Sequence, residues 1–266
     1  MKNRTIKKLA TAMFLCAGMA IAATASAATP ISAHEWDISG TASQGQGTDW
    51  LTLAASRPYQ VGSVQSKTAY GPNENLKIEF DYVSWGGTGA DGLAVYLFNA
   101  DANNAGASGA DGGALGYCGV KGAYVGIGLD QYGTFTDGEC KHGKHERMPY
   151  TNNTVIRGSE ANNYAFQGSY WIDAPLDCMS CTSREQAIGI GFVKRVVVEL
   201  NSRQTSPAGY TINLWMNGLA VFRGFEYIQD APRRMKVGIS AATGAANNYH
   251  EIRNLQVSSS HEECFD

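Results

Sequence analysis

The residues best suited to chemistry lie in a glycine-dense turn that runs into an apolar strand. Trp85 to Phe98 holds four glycines within seven residues and one carboxylate, Asp91. Glycine permits positive φ and lets a ligand approach main-chain N–H groups. The following run, Leu93 to Phe98, is apolar on both faces, which is typical of a strand buried in a sandwich. The pattern favours a binding loop on a rigid support, and the plainer interpretation is a turn in which Asp91 caps backbone amides.

The acidic residues offer little sign of hydrolysis. A glycanase needs two carboxylates about 5–10 Å apart across a cleft. The nearest match is Glu79-Phe80-Asp81, which lacks a third acid and also fits the solvent face of a strand with Ile78, Phe80 and Tyr82 inward. The five histidines lie in polar or loop contexts, so no Ser/His/Asp triad is predicted.

The cysteines can form disulfides or bind zinc. Cys118, Cys140, Cys178, Cys181 and Cys264 follow the N-terminal segment, an odd number, and the sequence leaves their pairing open. Two further ligands near Cys140, the histidines at 142 and 145, make a zinc site the competing hypothesis. Its spacing matches no standard zinc motif, so disulfides are favoured.

The first 27 residues have the features of a signal peptide. A basic start precedes the apolar stretch Leu9 to Ala23 and the small-residue site Ala25-Ser26-Ala27. We therefore predict export to the periplasm, cell surface or medium, with a single domain over 28–266 and a loose tail at 258–266. No later stretch is long and apolar enough to cross a bilayer.

The charge of the exported chain argues against nucleic-acid binding. Four of the 21 basic residues lie in the signal segment, so 17 remain against 24 acidic ones, a net charge of about −7. Phosphate backbones bind basic surfaces.

Short strands and glycine-rich turns dominate the rest of the chain. No convincing amphipathic helix appears, so an all-β sandwich is predicted. Asn217-Gly218 is a strong hairpin signal. Between 131 and 186 only one short strand is predicted. The strands are expected near 34–38, 50–53, 61–66, 76–83, 93–98, 124–130, 154–156, 193–200, 210–216, 219–222, 235–239 and 252–257.

The order of motifs resembles the L-type lectins, the concanavalin A-like jelly-roll group, in a secreted protein of bacterial type. Ala90-Asp91-Gly92-Leu93-Ala94 is similar to the Ala-Asp-Gly-hydrophobic-Ala signature of that family. Four further blocks follow in the family's order and extend the resemblance over nearly the whole exported chain: 112–116, 127–132, 217–218 and 237–252.

The resemblance implies carbohydrate binding at one end of the sandwich. Asp91 would follow a cis peptide bond and accept hydrogen bonds from sugar hydroxyls. Gly113 would donate a backbone N–H to the same sugar, and Tyr132 would be an aromatic platform. Thr134 stands where the family has an asparagine that contacts both sugar and calcium, and the loop from Ala242 to Asn248 would shape specificity.

The metal ligands are where the sequence departs from the family pattern. Gly128 replaces the first carboxylate of the metal-binding block, so the transition-metal site is predicted to be lost. A calcium site is a hypothesis that rests on Asp130, the Tyr132 carbonyl, Thr134 and Asp137. Calcium takes 6–8 oxygen ligands, so two carboxylates supply only part of the shell.

These observations predict a secreted, non-catalytic lectin with a glycan partner. The alternatives are a structural or adhesion sandwich without a working sugar site and, less favoured, a polysaccharide-degrading enzyme of the same fold. His250, close to the specificity loop, is interpreted as structural. The identity of the sugar and the oligomeric state are left open by the sequence.

Overall fold

The computed structural model describes residues 30–102, 107–137, 140, 151–203, 206 and 208–261. The predicted signal peptide lies outside these residues and stays a prediction. The strands are β1 Trp36–Gly40, β2 Ser43–Gln44, β3 Leu51–Ala54, β4 Val61–Ser66, β5 Glu74–Trp85, β6 Gly92–Asn99, β7 Ala123–Asp130, β8 Asn153–Arg157, β9 Phe166–Trp171, β10 Lys194–Arg203, β11 Gly209–Met216, β12 Leu219–Tyr227, β13 Met235–Ala242 and β14 Tyr249–His261. The helices are α1 Thr134–Asp137 and α2 Arg184–Gly189, and 3-10 turns span Gly112–Ala114 and Glu160–Asn162.

Two seven-stranded antiparallel sheets form a sandwich, which confirms the predicted jelly-roll fold class. One sheet has the order β1-β4-β13-β6-β7-β8-β9, and the other has the order β12-β11-β10-β5-β14-β3-β2. The core between them is made by alternate residues of facing strands, such as Ile78, Phe80 and Tyr82 of β5, all fully buried. Alternation of apolar and polar residues therefore sets which face of β5 is inside.

The first sheet is covered on both faces. Leu93, Val95 and Leu97 of β6 point into the main core, whereas Ala94 and Tyr96 belong to a second apolar cluster on the outer face. That cluster is closed by residues from the long connections around β7, namely Leu115, Tyr117, Phe135 and their neighbours. Burial of both faces explains why the run from Leu93 to Phe98 in β6 contains no charged or amide side chain.

The turn between β11 and β12 is a tight hairpin. Asn217 and Gly218 adopt φ angles of 51° and 78° between β11 and β12, so the predicted hairpin is confirmed.

The loose tail predicted at 258–266 is wrong for 258–261. These residues extend β14 and pair with β5 from Ser258 against Lys77 to His261 against Glu74, because main-chain pairing outweighs the weak strand preference of serine.

Four of the cysteines form two disulfides. Cys118 bonds to Cys140, and Cys178 bonds to Cys181. These four thiols are therefore not zinc ligands. Cys264 and the histidines at 142 and 145 lie outside the described residues.

No helix in the described ranges is both long and apolar enough to cross a membrane.

Candidate functional site

Asp91 sits at the end of β6, between the ends of two neighbouring strands. Its N–H donates to Ala242 O of β13 over 3.1 Å, and its carbonyl accepts from Gln131 N–H, just past β7, over 2.9 Å. The Ala90–Asp91 peptide bond is cis, and the residue is 5% exposed. The main chain at Asp91 is thus fixed by hydrogen bonds to both adjacent strands.

Two glycine segments border the Asp91 carboxylate. A Cβ placed on Gly244 would lie 3.0 Å from Asp91 Oδ2 and 3.5 Å from the Cα of Gly112, so the three residues lie close together. Gly112 N–H donates to Thr243 O over 3.1 Å and docks the 3-10 turn that contains Gly113. The structure therefore brings Gly113 to the Asp91 side of the sandwich.

Two tyrosines and a threonine lie around Asp91. Thr134 Oγ1 lies 3.5 Å from Asp91 Oδ1, and the Tyr132 side chain is 50% exposed on the same loop. Tyr59 is 66% exposed and donates its N–H to Gly244 O over 3.0 Å. Tyr59 has no motif and was not predicted as a site residue, since an exposed tyrosine in a loop gives no sequence signal.

A buried hydrogen-bond chain holds the residue before Asp91. Ala90 O can only accept, so His250 Nε2, 2.9 Å away, carries the proton. His250 Nδ1 then accepts from Tyr82 OH over 2.9 Å, and Tyr82 OH accepts from Gln131 Nε2 over 2.8 Å. His250 is fully buried, which confirms its structural interpretation, and burial lowers its pKa to about 4.

Asp130 lies beside Asp91 but faces inward. Its Oδ1 accepts from Gly133 N–H over 2.8 Å, and its Oδ2 accepts from Thr136 N–H over 3.1 Å and Thr136 Oγ1 over 3.2 Å. The carboxylate therefore caps the short helix α1. Burial raises its pKa to about 6, although these hydrogen bonds oppose the shift.

The residues proposed as metal ligands do not form a matching donor set. Asp130 uses both oxygens on the protein, and the side chain of Asp137 lies outside the described residues. Beside Gly128, a Cβ would lie 2.5 Å from Phe135 Cδ1, so an aromatic ring fills the space of the carboxylate that the transition metal would need. No cluster of three or more His, Cys, Asp or Glu occurs within the part of the chain that the structure describes. The described residues therefore do not fit a transition metal beside Gly128, and the calcium site on Asp130, Tyr132, Thr134 and Asp137 stays a prediction.

A buried arginine lies next to the loop that follows β7 and contains Phe135. Arg157 of β8 is fully buried, and its Nε donates to Phe135 O over 2.8 Å, with Nη2 on the same oxygen and Nη1 on Tyr164 O at 3.3 Å. Its Cζ lies 5.3 Å from the centre of the Phe135 ring. Sequence reasoning missed Arg157, because arginine is rarely fully buried and its position depends on long-range packing.

A small disulfide loop forms the other side of the Asp91 turn. Cys178 N–H donates to Ser84 O over 3.0 Å, which docks the loop onto the end of β5. Asn248 Nδ2 donates to Asp177 Oδ2 over 2.7 Å, and Asn248 Oδ1 accepts from Gly89 N–H over 2.8 Å. Burial raises the pKa of Asp177. The turn that precedes Asp91 is therefore held at both ends.

The carboxylates considered for hydrolysis are engaged elsewhere. Arg195 contacts Glu79 and Asp81 at 3.3 Å each, and Arg253 contacts Asp81 at 3.2 Å. Glu79 and Asp81 lie on the outer face of β5, on the side of the strand opposite the buried Phe80. The solvent-face interpretation of these acids is confirmed.

The sequence matches no protein-family model and no curated protein. Among solved structures, it is similar to the Lotus tetragonolobus seed lectin, with a TM-score of 0.62, 13% identity, and coverage of 88% of this chain and 97% of that one. It is also similar to the exoplasmic/lumenal domain of VIP36 in its Ca²⁺/Man-bound form, with a TM-score of 0.56, 12% identity, and coverage of 87% and 85%. The chain has the L-type lectin fold. A third neighbour, lectin I-B4 of Griffonia simplicifolia in a metal-free form, has a TM-score of 0.54 and 17% identity over 86% of this chain and 94% of that one. These L-type lectin structures confirm the architecture predicted from the motif order.

Proposed function

We propose that the chain binds carbohydrate, without catalysis, at the end of the sandwich around Asp91. The observation that carries the proposal is a nearly buried carboxylate, fixed by two strands of a lectin fold and bordered by glycine turns and an exposed tyrosine. Sugar recognition needs a few fixed polar groups beside an apolar or aromatic surface. This arrangement supplies both.

Each residue of the site has a distinct role in the proposal. The Asp91 carboxylate accepts hydrogen bonds from sugar hydroxyls, and Gly113 donates its backbone N–H. Tyr132 offers an exposed ring against which the apolar face of a sugar can pack. Thr134 orients the carboxylate through its hydroxyl and closes the rim on that side.

Glycans that contain mannose are the first probes to use, because two solved forms of VIP36 carry mannose and Man3GlcNAc. The predicted signal peptide at 1–27 places the protein outside the cytoplasm in this proposal, where such glycans occur. The pairing of Glu79 and Asp81 with arginines supports binding without hydrolysis.

The test compares glycan-array binding of the mature protein with that of Asp91→Asn, which keeps the side-chain shape and removes the charge. Asp101→Asn is the matched control, because Asp101 is exposed and its carboxylate pairs with Arg234 at the surface. We expect binding by the wild type and the control and its loss in Asp91→Asn. Equal binding by all three proteins would refute the site, and absence of binding by the wild type would favour a structural or adhesion sandwich.

A further inference from the structure

In the loop that carries Tyr132 and Thr134, protein groups occupy the space in which the family pattern would have bound ions. We propose that the Asp91 site is ordered by the protein alone, with the buried Arg157 guanidinium as its fixed cation, and binds its ligand without a divalent metal ion. This inference rests on the proposed carbohydrate site and adds its independence from ions.

Both oxygens of Asp130 are engaged by the chain. Three protein donors bind them, which are the N–H groups of Gly133 and Thr136 and the hydroxyl of Thr136. A carboxylate offers about four lone-pair positions. A calcium ion that bound both oxygens would need two of these positions and would have to displace at least one of the donors that cap α1.

Arg157 supplies positive charge on the other side of the same peptide unit. The N–H of Thr136 bonds to Asp130 Oδ2, and the carbonyl of Phe135, in the same peptide unit, accepts from Arg157. One peptide unit thus links a buried anion to a buried cation. Because a guanidinium stays charged at every relevant pH, this link needs no ion from solution.

The Phe135 side chain completes the exclusion of a metal. Its ring lies against Gly128 on one side, where a Cβ would be only 2.5 Å away, and under the Arg157 guanidinium on the other. Aromatic carbon therefore occupies the volume beside Gly128 in which a second ion and its ligands would have to fit.

The Asp91 side of the site is held in a similar way. His250 donates to Ala90 O, and the chain from His250 through Tyr82 reaches Gln131, whose N–H binds Asp91 O. The loop after β7 and the turn before β6 are therefore tied together by direct protein hydrogen bonds.

The first test uses calcium itself as the probe. Mature protein treated with excess EDTA and dialysed is titrated with CaCl2 in a calorimeter and melted with and without calcium. We expect no saturable heat and an unchanged Tm. Saturable binding with a Kd below about 1 mM, the weak end for extracellular calcium modules, together with a higher Tm, would overturn the proposal.

The glycan measurement is then repeated with calcium and with EDTA. Equal affinity in both supports the proposal, and a loss of about tenfold or more in EDTA, equivalent to about 1.4 kcal/mol, overturns it. Absence of glycan binding in every condition would refute the proposed function, whereas the calcium titration and melting curves would still decide the inference about ions.

The role of Arg157 is tested with Arg157→Lys, which keeps the charge but loses the planar fork of donors. Arg195→Lys is the matched control on the outer face of the other sheet. At a temperature where both proteins are folded, we expect faster hydrogen exchange at residues 133–136 and weaker glycan binding only in Arg157→Lys, with no rescue by calcium. Unchanged exchange, or rescue by calcium, would show that Arg157 does not hold the loop. If the lysine variant fails to fold, Phe135→Leu removes the ring over which Arg157 lies and is read by the same exchange and calcium titration.

Discussion

The buried His250 predicts a defined pH dependence of stability. Its pKa is about 4 in the folded protein and 6.5 as the ordinary value. Between these values the unfolded chain binds a proton that the folded chain does not, so folding stability falls as the pH falls from 7 to 4. At about 1.4 kcal/mol per unit, the loss is about 3 kcal/mol.

Asp130 contributes with the opposite sign over the same range. Its pKa rises from 3.8 to about 6 on folding, so the folded chain takes up a proton first and gains stability as the pH falls below 6. The two effects oppose each other in the wild type. The stability of the wild type alone therefore understates the contribution of His250.

The variant His250→Gln separates the two contributions. An amide can donate to Ala90 O and accept from Tyr82 OH without titrating. The free energy of unfolding is measured by urea denaturation from pH 7 to pH 4 for the wild type, His250→Gln and the exposed-site control His34→Gln. The wild type should lose about 3 kcal/mol relative to His250→Gln and nothing relative to His34→Gln. Parallel curves for the wild type and His250→Gln would refute the assignment of a neutral, buried imidazole.

Three further changes test the packing and the site. Gly128→Ala places a Cβ against Phe135 and should lower the free energy of unfolding by about 1–3 kcal/mol, and adding Phe135→Leu should recover part of it in urea denaturation. Gly244→Ala brings a methyl group 3.0 Å from Asp91 Oδ2 and should weaken glycan binding with little change in Tm, whereas Gly189→Ala, which has no atom within 4 Å of its Cβ, should change neither. Tyr132→Ala should raise the glycan Kd by about fivefold if the ring stacks on the sugar, as expected for an aromatic contact of about 1 kcal/mol, and an unchanged Kd would remove Tyr132 from the site.

Sequence periodicity predicted most of the sheets because their strands have distinct buried faces. It missed β9, where Phe166 to Trp171 is an edge strand with no fully buried position, so its residues show no alternation. It also missed α2, whose only local signal is Ser183, which caps the helix by accepting from Gln186 N–H. Short or edge elements depend on contacts that a local pattern does not contain.

A site residue could be predicted from the sequence only where it belongs to a recognised motif. Asp91 was identified from the Ala-Asp-Gly signature, and the structure gives it a fixed position beside Gly112 and Gly244. The calcium role predicted for Asp130 stays a prediction, and the capping of α1 by its carboxylate gave no sequence signal, because it depends on the turn of the chain after β7. Arg157 gave no signal, since a buried arginine is recognisable only from the carbonyls that surround it.

The position of β14 in the middle of its sheet has a consequence for the order of folding. This last strand lies between β5 and β3 and contributes His250, which reaches back to Ala90 across 160 positions of sequence. Until β14 pairs, β5 and β3 lack their common neighbour and Ala90 lacks its donor. The turn around Asp91, on which the proposed sugar site depends, is therefore completed only when β14 joins its sheet.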